Sequence, residues 1–176
     1  MKKLIFTISL LVIVSIAGFS QLKLEGSHNA NLKTIMLKKG VVKYLMKIPN
    51  ENQIVIYNLD HTVWKMISLS VPKNHKLDEI KHVSVNTLNK DQFVEIIYTC
   101  YAYEIKDDIE VAEFGYTKFI PTLNVINELG EVLLKIEHSS EFKIVEANGS
   151  KKLLVYQYKG DDFTAQNKTL IYNIGN

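Results

Sequence analysis

From Leu32 onward the chain alternates apolar or aromatic runs of five to nine residues with short polar turns, a period-2 strand signature with no sustained 3.6-residue repeat. This pattern predicts strands near Lys33–Leu37, Val41–Ile48, Gln53–Asn58, Val63–Val71, Ile80–Val85, Phe93–Ala102, Tyr116–Ile120, Leu123–Asn127, Val132–Glu137, Phe142–Glu146, Leu153–Tyr158 and Thr169–Ile174. Pro49-Asn50-Glu51-Asn52, Glu128-Leu129-Gly130-Glu131 and Asn148-Gly149-Ser150 place Asn or Gly where a turn needs positive φ or a side-chain closure. The acidic segment 104–113 reads as a longer exposed hairpin tip between strands ending at Ala102 and starting at Tyr116.

The strands recur in groups. Residues 56–67 (Ile-Tyr-Asn-Leu-Asp-His-Thr-Val-Trp-Lys-Met-Ile) lie on residues 125–136 without a gap, and a second register sets Lys47–Tyr57 against Lys143–Tyr156, with Phe93–Tyr98 in the same slot. Three meander units follow, near 41–71, 79–137 and 141–174, within a single β-rich domain over 32–176. The predicted fold is therefore all-β, built of antiparallel meander repeats and arranged as an open propeller-like array or a β-sandwich. A closed propeller typically takes at least about four blades. An open array leaves edge strands, and Val41–Ile48 and Thr169–Ile174 are the expected places for strand addition by a partner, testable with proline at Leu45 or Ile171.

The first residues belong to export. Met1-Lys2-Lys3 is a short basic start, Leu4–Ala17 is an uncharged apolar run, and Gly18 and Ser20 suit a signal-peptidase site before Gln21. The run is shorter than the roughly 20 residues a spanning helix needs, so 1–20 is read as a signal peptide, with membrane contact only before cleavage, and 21–31 as a linker. The other reading of the run is an uncleaved anchor. Without the leader, basic and acidic residues are equal in number, which removes the case for steering toward a polyanion.

Composition narrows the chemistry further. Every basic residue is Lys, so the guanidinium fork that reads phosphates and base edges is missing and no nucleic-acid partner is expected. Cys100 is the only cysteine, which precludes an internal disulfide, and it falls in an apolar run as a small core group. His28, His61, His75, His82 and His138 show no metal-ligand spacing, and His75 and His82 flank a Lys-rich loop where solvation is expected. Asp107, Asp108, Glu110 and Glu113 are dense carboxylates without the alternation or central Gly of a Ca²⁺ loop. No nucleophile elbow or phosphate loop occurs. Catalytic residues, metal and cofactors are accordingly expected to be none. Asn148-Gly149-Ser150 and Asn167-Lys168-Thr169 match the glycosylation sequon and read as turns.

Gly-Phe-Ser-Gln at the leader's end, residues 56–67, the Asn-Lys-Asp-Gln-Phe-Val-Glu-Ile-Ile-Tyr stretch at 89–98 and Asn-Glu-Leu-Gly-Glu-Val-Leu at 127–133 resemble secreted β-rich proteins of Bacteroidota. Such meanders often stand ahead of a type IX secretion sorting domain, and Leu170–Asn176 does not read as the start of one, so type IX export is not expected. The resemblance implies compartment and architecture and no functional residue; the expected destination is the periplasm or the extracellular side, at the cell surface or in the medium. Aromatics are the remaining lead. Period-2 geometry puts Tyr101 and Tyr103 on one strand face and Tyr98 with Cys100 on the other. The expectation is an exported, non-enzymatic β-scaffold for protein interaction or envelope structure, with Tyr101 and Tyr103 as possible ligand-facing residues. Two alternatives stand beside it: a carbohydrate-binding module using those aromatics, and a hydrolase whose carboxylates or His converge only in space.

Overall fold

The computed structural model describes residues 22–106, 116–158 and 166–175. The leader at 1–20 and the carboxylates at 107–113 lie outside them. The described residues form eleven strands: β1 (Leu32–Met36), β2 (Val42–Ile48), β3 (Gln53–Tyr57), β4 (Val63–Ser68), β5 (Lys76–Val85), β6 (Val94–Lys106), β7 (Tyr116–Asn127), β8 (Val132–Glu137), β9 (Ser139–Ala147), β10 (Ser150–Tyr158) and β11 (Gln166–Ile174). They pair antiparallel into three sheets, β1-β2-β3-β4, β5-β6-β7-β8 and β11-β10-β9, with no closed barrel. The fold is all-β.

Each sheet is one consecutive stretch of chain, and the sheets stack face to face. Leu45, Ile54, Ile56 and Ile67 of the first sheet pack with Ile80, Val94, Ile96, Tyr98 and Ile126 of the second. On the second sheet's other face, Ile97, Leu123 and Val125 pack with Leu153, Val155 and Ile174 of the third. The middle sheet is thus covered on both sides, which is why β6 carries an unbroken buried run from Val94 to Cys100 instead of alternation.

The gapless match of residues 56–67 with 125–136 corresponds to one hairpin built twice. Asn58 N donates to Thr62 O (2.9 Å) and His61 N to Asn58 O (3.1 Å); Asn127 N donates to Glu131 O (3.1 Å) and Gly130 N to Asn127 O (3.0 Å). Both turns place their fourth residue at positive φ, His61 at 67° and Gly130 at 83°, and both break register at the preceding strand end. Each joins the third and fourth strands of its sheet. The second register has no such basis, since β3 is third in its sheet while β6 and β10 are second. Its two turns differ as well: Pro49–Glu51 is a 3-10 turn, whereas Asn148 and Gly149 both take positive φ in a two-residue hairpin.

Four sequence expectations need correction. Tyr116–Ile120 and Leu123–Asn127 are one strand running through Pro121; the β7–β8 ladder starts only at Thr122, so the missing N–H at Pro121 removes nothing from it. β6 continues past Ala102 to Lys106. β5 begins at Lys76, where the charged Lys76, Asp78 and Glu79 disguise a strand that also carries bulges. Val41–Ile48 is no edge, because β2 is paired on both sides by β1 and β3; β11 is an edge. Proline at Leu45, which is 2% exposed, therefore probes the core and not an association edge.

Candidate interaction site

Beyond Lys76↔Tyr101 and Thr122↔Glu137, β6 and β7 lose their outer neighbours and run on as a two-stranded ribbon. Five further ladder pairs, from Ala102↔Ile120 to Lys106↔Tyr116, carry it about 17 Å past the sheet at about 3.4 Å per residue. At its base Tyr101, Tyr103 and Phe119 form an aromatic cluster. Tyr101 and Tyr103 meet edge to face with centroids 5.3 Å apart at 67°, Tyr101 stacks on Phe119 at 5.6 Å and 26°, and Tyr103 tilts against Phe119 at 5.8 Å and 56°. Tyr103 is 62% exposed. The cluster lies on the face whose continuation, Ile97, Leu123 and Val125, the third sheet covers. Tyr98 and Cys100 point the other way, into the first layer of core.

Tyr101 and Tyr103 thus stand together, as strand alternation requires, and Phe119 joins them from β7 through the pair Tyr103↔Phe119. Sequence reading missed Phe119 because Pro121 hid the continuity of β7. Cys100 is buried and its thiol is pushed up to about 12 by burial, which leaves it protonated and a poor nucleophile.

The first strands of the three sheets meet along an ion row. Lys33 on β1 pairs with Glu79 on β5 at 3.0 Å, Lys81 reaches Glu79 at 3.2 Å, and Lys81 also reaches Glu141 on β9 at 3.2 Å. A cleft of about 320 Å³ opens beside it, lined by Lys33, Leu45, Lys47, Glu79 and Ile80. The hydrogen bonds from Lys33 and Lys81 hold the Glu79 carboxyl below its usual range, so it is a weak base. Among the described residues no group of three His, Cys, Asp or Glu is placed to hold a metal ion, and no helix is long and apolar enough to cross a membrane.

His82 corrects the expectation of solvation. It is half-buried between β5 and β9, edge-on to Phe142 at 6.3 Å, with its Nε2 out of water. Burial lowers its pKa, against a smaller opposing pull from the Glu95 charge. The folded chain then keeps His82 neutral while the unfolded chain takes up a proton near the ordinary value of 6.5. Stability contributed by neutral His82 is complete above that value and is lost as pH falls below it. The urea midpoint is expected to drop between about pH 7.5 and about pH 5.5, and to drop less in His82→Gln. Equal slopes in the two proteins would remove His82 as the cause.

Comparison of the chain with protein-family models, with curated proteins and with solved structures gives no match in any of the three, so the functional reading rests on the molecule's own surfaces.

Proposed function

We propose that the chain is an exported, non-enzymatic β-scaffold whose β6–β7 ribbon docks another envelope or surface protein. The observation that carries this reading is the aromatic cluster of Tyr101, Tyr103 and Phe119 at the base of the ribbon, with Tyr103 62% exposed. A large, rigid aromatic presented to solvent is the usual anchor of a protein interface. Export follows from the basic start and apolar run of the leader, and the resemblance to secreted proteins of Bacteroidota points the same way.

A carbohydrate-binding module is the second reading, since Tyr and Phe also stack on sugars. Sugar stacking favours a flat platform, and the 67° and 56° angles at Tyr103 disfavour it. A photo-crosslinking residue at position 103, introduced in the producing cell, is expected to capture a defined envelope protein. Tyr103→Ala is expected to weaken that complex at least about tenfold, in line with loss of an interface anchor. Its melting temperature should be nearly unchanged, because the ring is largely in solvent. A purified chain retained on polysaccharide, with no protein adduct, would transfer the site to the carbohydrate reading.

A further inference from the structure

His28 and His61 are 33 residues apart, a spacing that signals nothing in sequence, yet the fold sets them side by side on the outer face of β1–β4. His28 Nε2 lies 2.9 Å from His61 Nδ1, and the two half-buried rings stack at 23° with centroids 5.2 Å apart. Tyr57 on β3 meets His28 edge-on at 5.0 Å and 63°, and Tyr44 on β2 tilts against His61 at 5.8 Å and 31°. Within residues 22–31 His28 alone is half-buried; its neighbours are exposed.

The chain holds His61 there against its own preference. The residue takes φ 67° in the β3–β4 turn, at the position where the twin hairpin has Gly130 at 83°. Glycine adopts that conformation freely, whereas a side chain resists it. The segment before β1 also passes directly over the ring, since a Cβ at Gly26 would lie 3.1 Å from His61 Cε1 and 3.2 Å from each ring nitrogen. A position suited to glycine thus carries an imidazole, a glycine admits the chain above it, and a second imidazole is brought to its nitrogen.

We propose that His28 Nε2 and His61 Nδ1 form a bidentate site for a divalent transition-metal ion of the Cu(II) class, which fastens the segment before β1 to the β3–β4 turn. Without metal, one nitrogen donates its proton to the other; on binding, that proton moves to the far nitrogen of its own ring, which frees both lone pairs for the ion. Separation selects the metal. With metal–nitrogen bonds of about 2.0–2.1 Å, neighbouring ligands at a right angle stand about 2.9 Å apart and those at the tetrahedral angle about 3.3 Å. The observed 2.9 Å suits tetragonal Cu(II), the tightest binder of its row, with water in the remaining positions. Asp60, next to His61 in the turn, places a carboxylate charge close to the pair, and its Oδ1 is fixed by Thr62 N at 3.0 Å and Thr62 Oγ1 at 2.6 Å.

The site is separate from the ribbon, so its failure leaves the docking reading untouched. The chain purified from its producing cells, stripped with a chelator and titrated with Cu(II), is expected to bind one ion, and pulsed electron paramagnetic resonance should count two equatorial imidazoles. His28→Ala and His61→Gly are each expected to weaken binding at least about tenfold and to lower the count to one. His61→Gly gives the turn the residue its twin carries, so metal-free circular dichroism and melting should match or exceed the parent. His28→Ala alters only the exposed leading segment, so weakened binding in both variants is not a folding defect. Cu(II) should also slow amide exchange at residues 26–29 in the parent and in neither variant. No binding by the parent overturns the proposal, as does binding undiminished in both variants, which would place the ion on other groups. A parent spectrum with a single imidazole overturns it equally.

Discussion

Replacing Glu95 by alanine is expected to destabilise the fold by about 3–5 kcal/mol, the lower part of what three backbone donors left without an acceptor sum to at about 1–3 kcal/mol each. Glu95 is 0% exposed, and its two oxygens accept from Ser84 Oγ at 2.9 Å, Thr87 N at 2.9 Å, Leu88 N at 2.9 and 3.0 Å and Asn89 N at 2.8 Å. Three consecutive backbone N–H groups therefore converge on one carboxylate, and this organises the whole turn between β5 and β6. The same turn is tied to the end of β11, because Gly175 N donates to Leu88 O at 2.9 Å and the Leu88 side chain packs on the second core. Truncation leaves those part-buried donors without their acceptor. Glu95→Gln retains one carbonyl acceptor but turns an NH₂ toward N–H donors, so its loss should fall between zero and that of alanine. Chemical denaturation gives the magnitudes, and amide exchange at 87–89 should accelerate first. A Glu95→Ala loss below about 1 kcal/mol would mean that the turn finds other acceptors.

That carboxylate also marks the limit of what the sequence discloses. Glu95 sits in Phe-Val-Glu-Ile-Ile-Tyr as the polar member of an apparently alternating strand, and alternation alone would place it in water. Its burial follows from the turn at 87–89 closing over it, with Leu88 packed on the second core, which alternation along β6 does not carry. The strand class, the positive-φ turns at Asn148-Gly149 and Gly130, and the twice-built hairpin at 56–67 and 125–136 were legible because each depends on a few adjacent residues. Strand ends were legible only where hydrophobicity marked them. Bulges at Leu77–His82 and the proline at 121 broke the pattern without breaking the strand. At the candidate site, Tyr101 and Tyr103 were readable from period-2 geometry, whereas Phe119 needed the β6–β7 register. The inward placement of Lys33, Lys43, Lys47 and Lys65 escaped altogether, because lysines in an alternating pattern look like a solvated face until partners such as Glu79 and Glu128 across the layer are seen.

Layering itself makes the second large prediction. Ile96 and Ile97 are neighbours on β6, both 0% exposed, yet Ile96 belongs to the core shared with β1–β4 and Ile97 to the core shared with β9–β11. Either isoleucine changed to alanine leaves a cavity that β6, paired on both sides, has little freedom to close, so each substitution is expected to cost about 2–5 kcal/mol. The two cavities lie on opposite faces and share no lining, so their locations should be distinguishable although the residues are adjacent in sequence. Sub-global opening is governed by the layer that is weakened. Ile97→Ala should therefore speed amide exchange in β9–β11 more than in β1–β4, and Ile96→Ala should do the reverse. If both variants accelerate exchange equally in all three sheets, the stack opens as one cooperative unit. If they act on separate layers, the chain tolerates damage in one outer sheet while the other keeps its packing. The ribbon emerges from the middle sheet, so its geometry should survive the loss of either outer layer better than the loss of β6 itself.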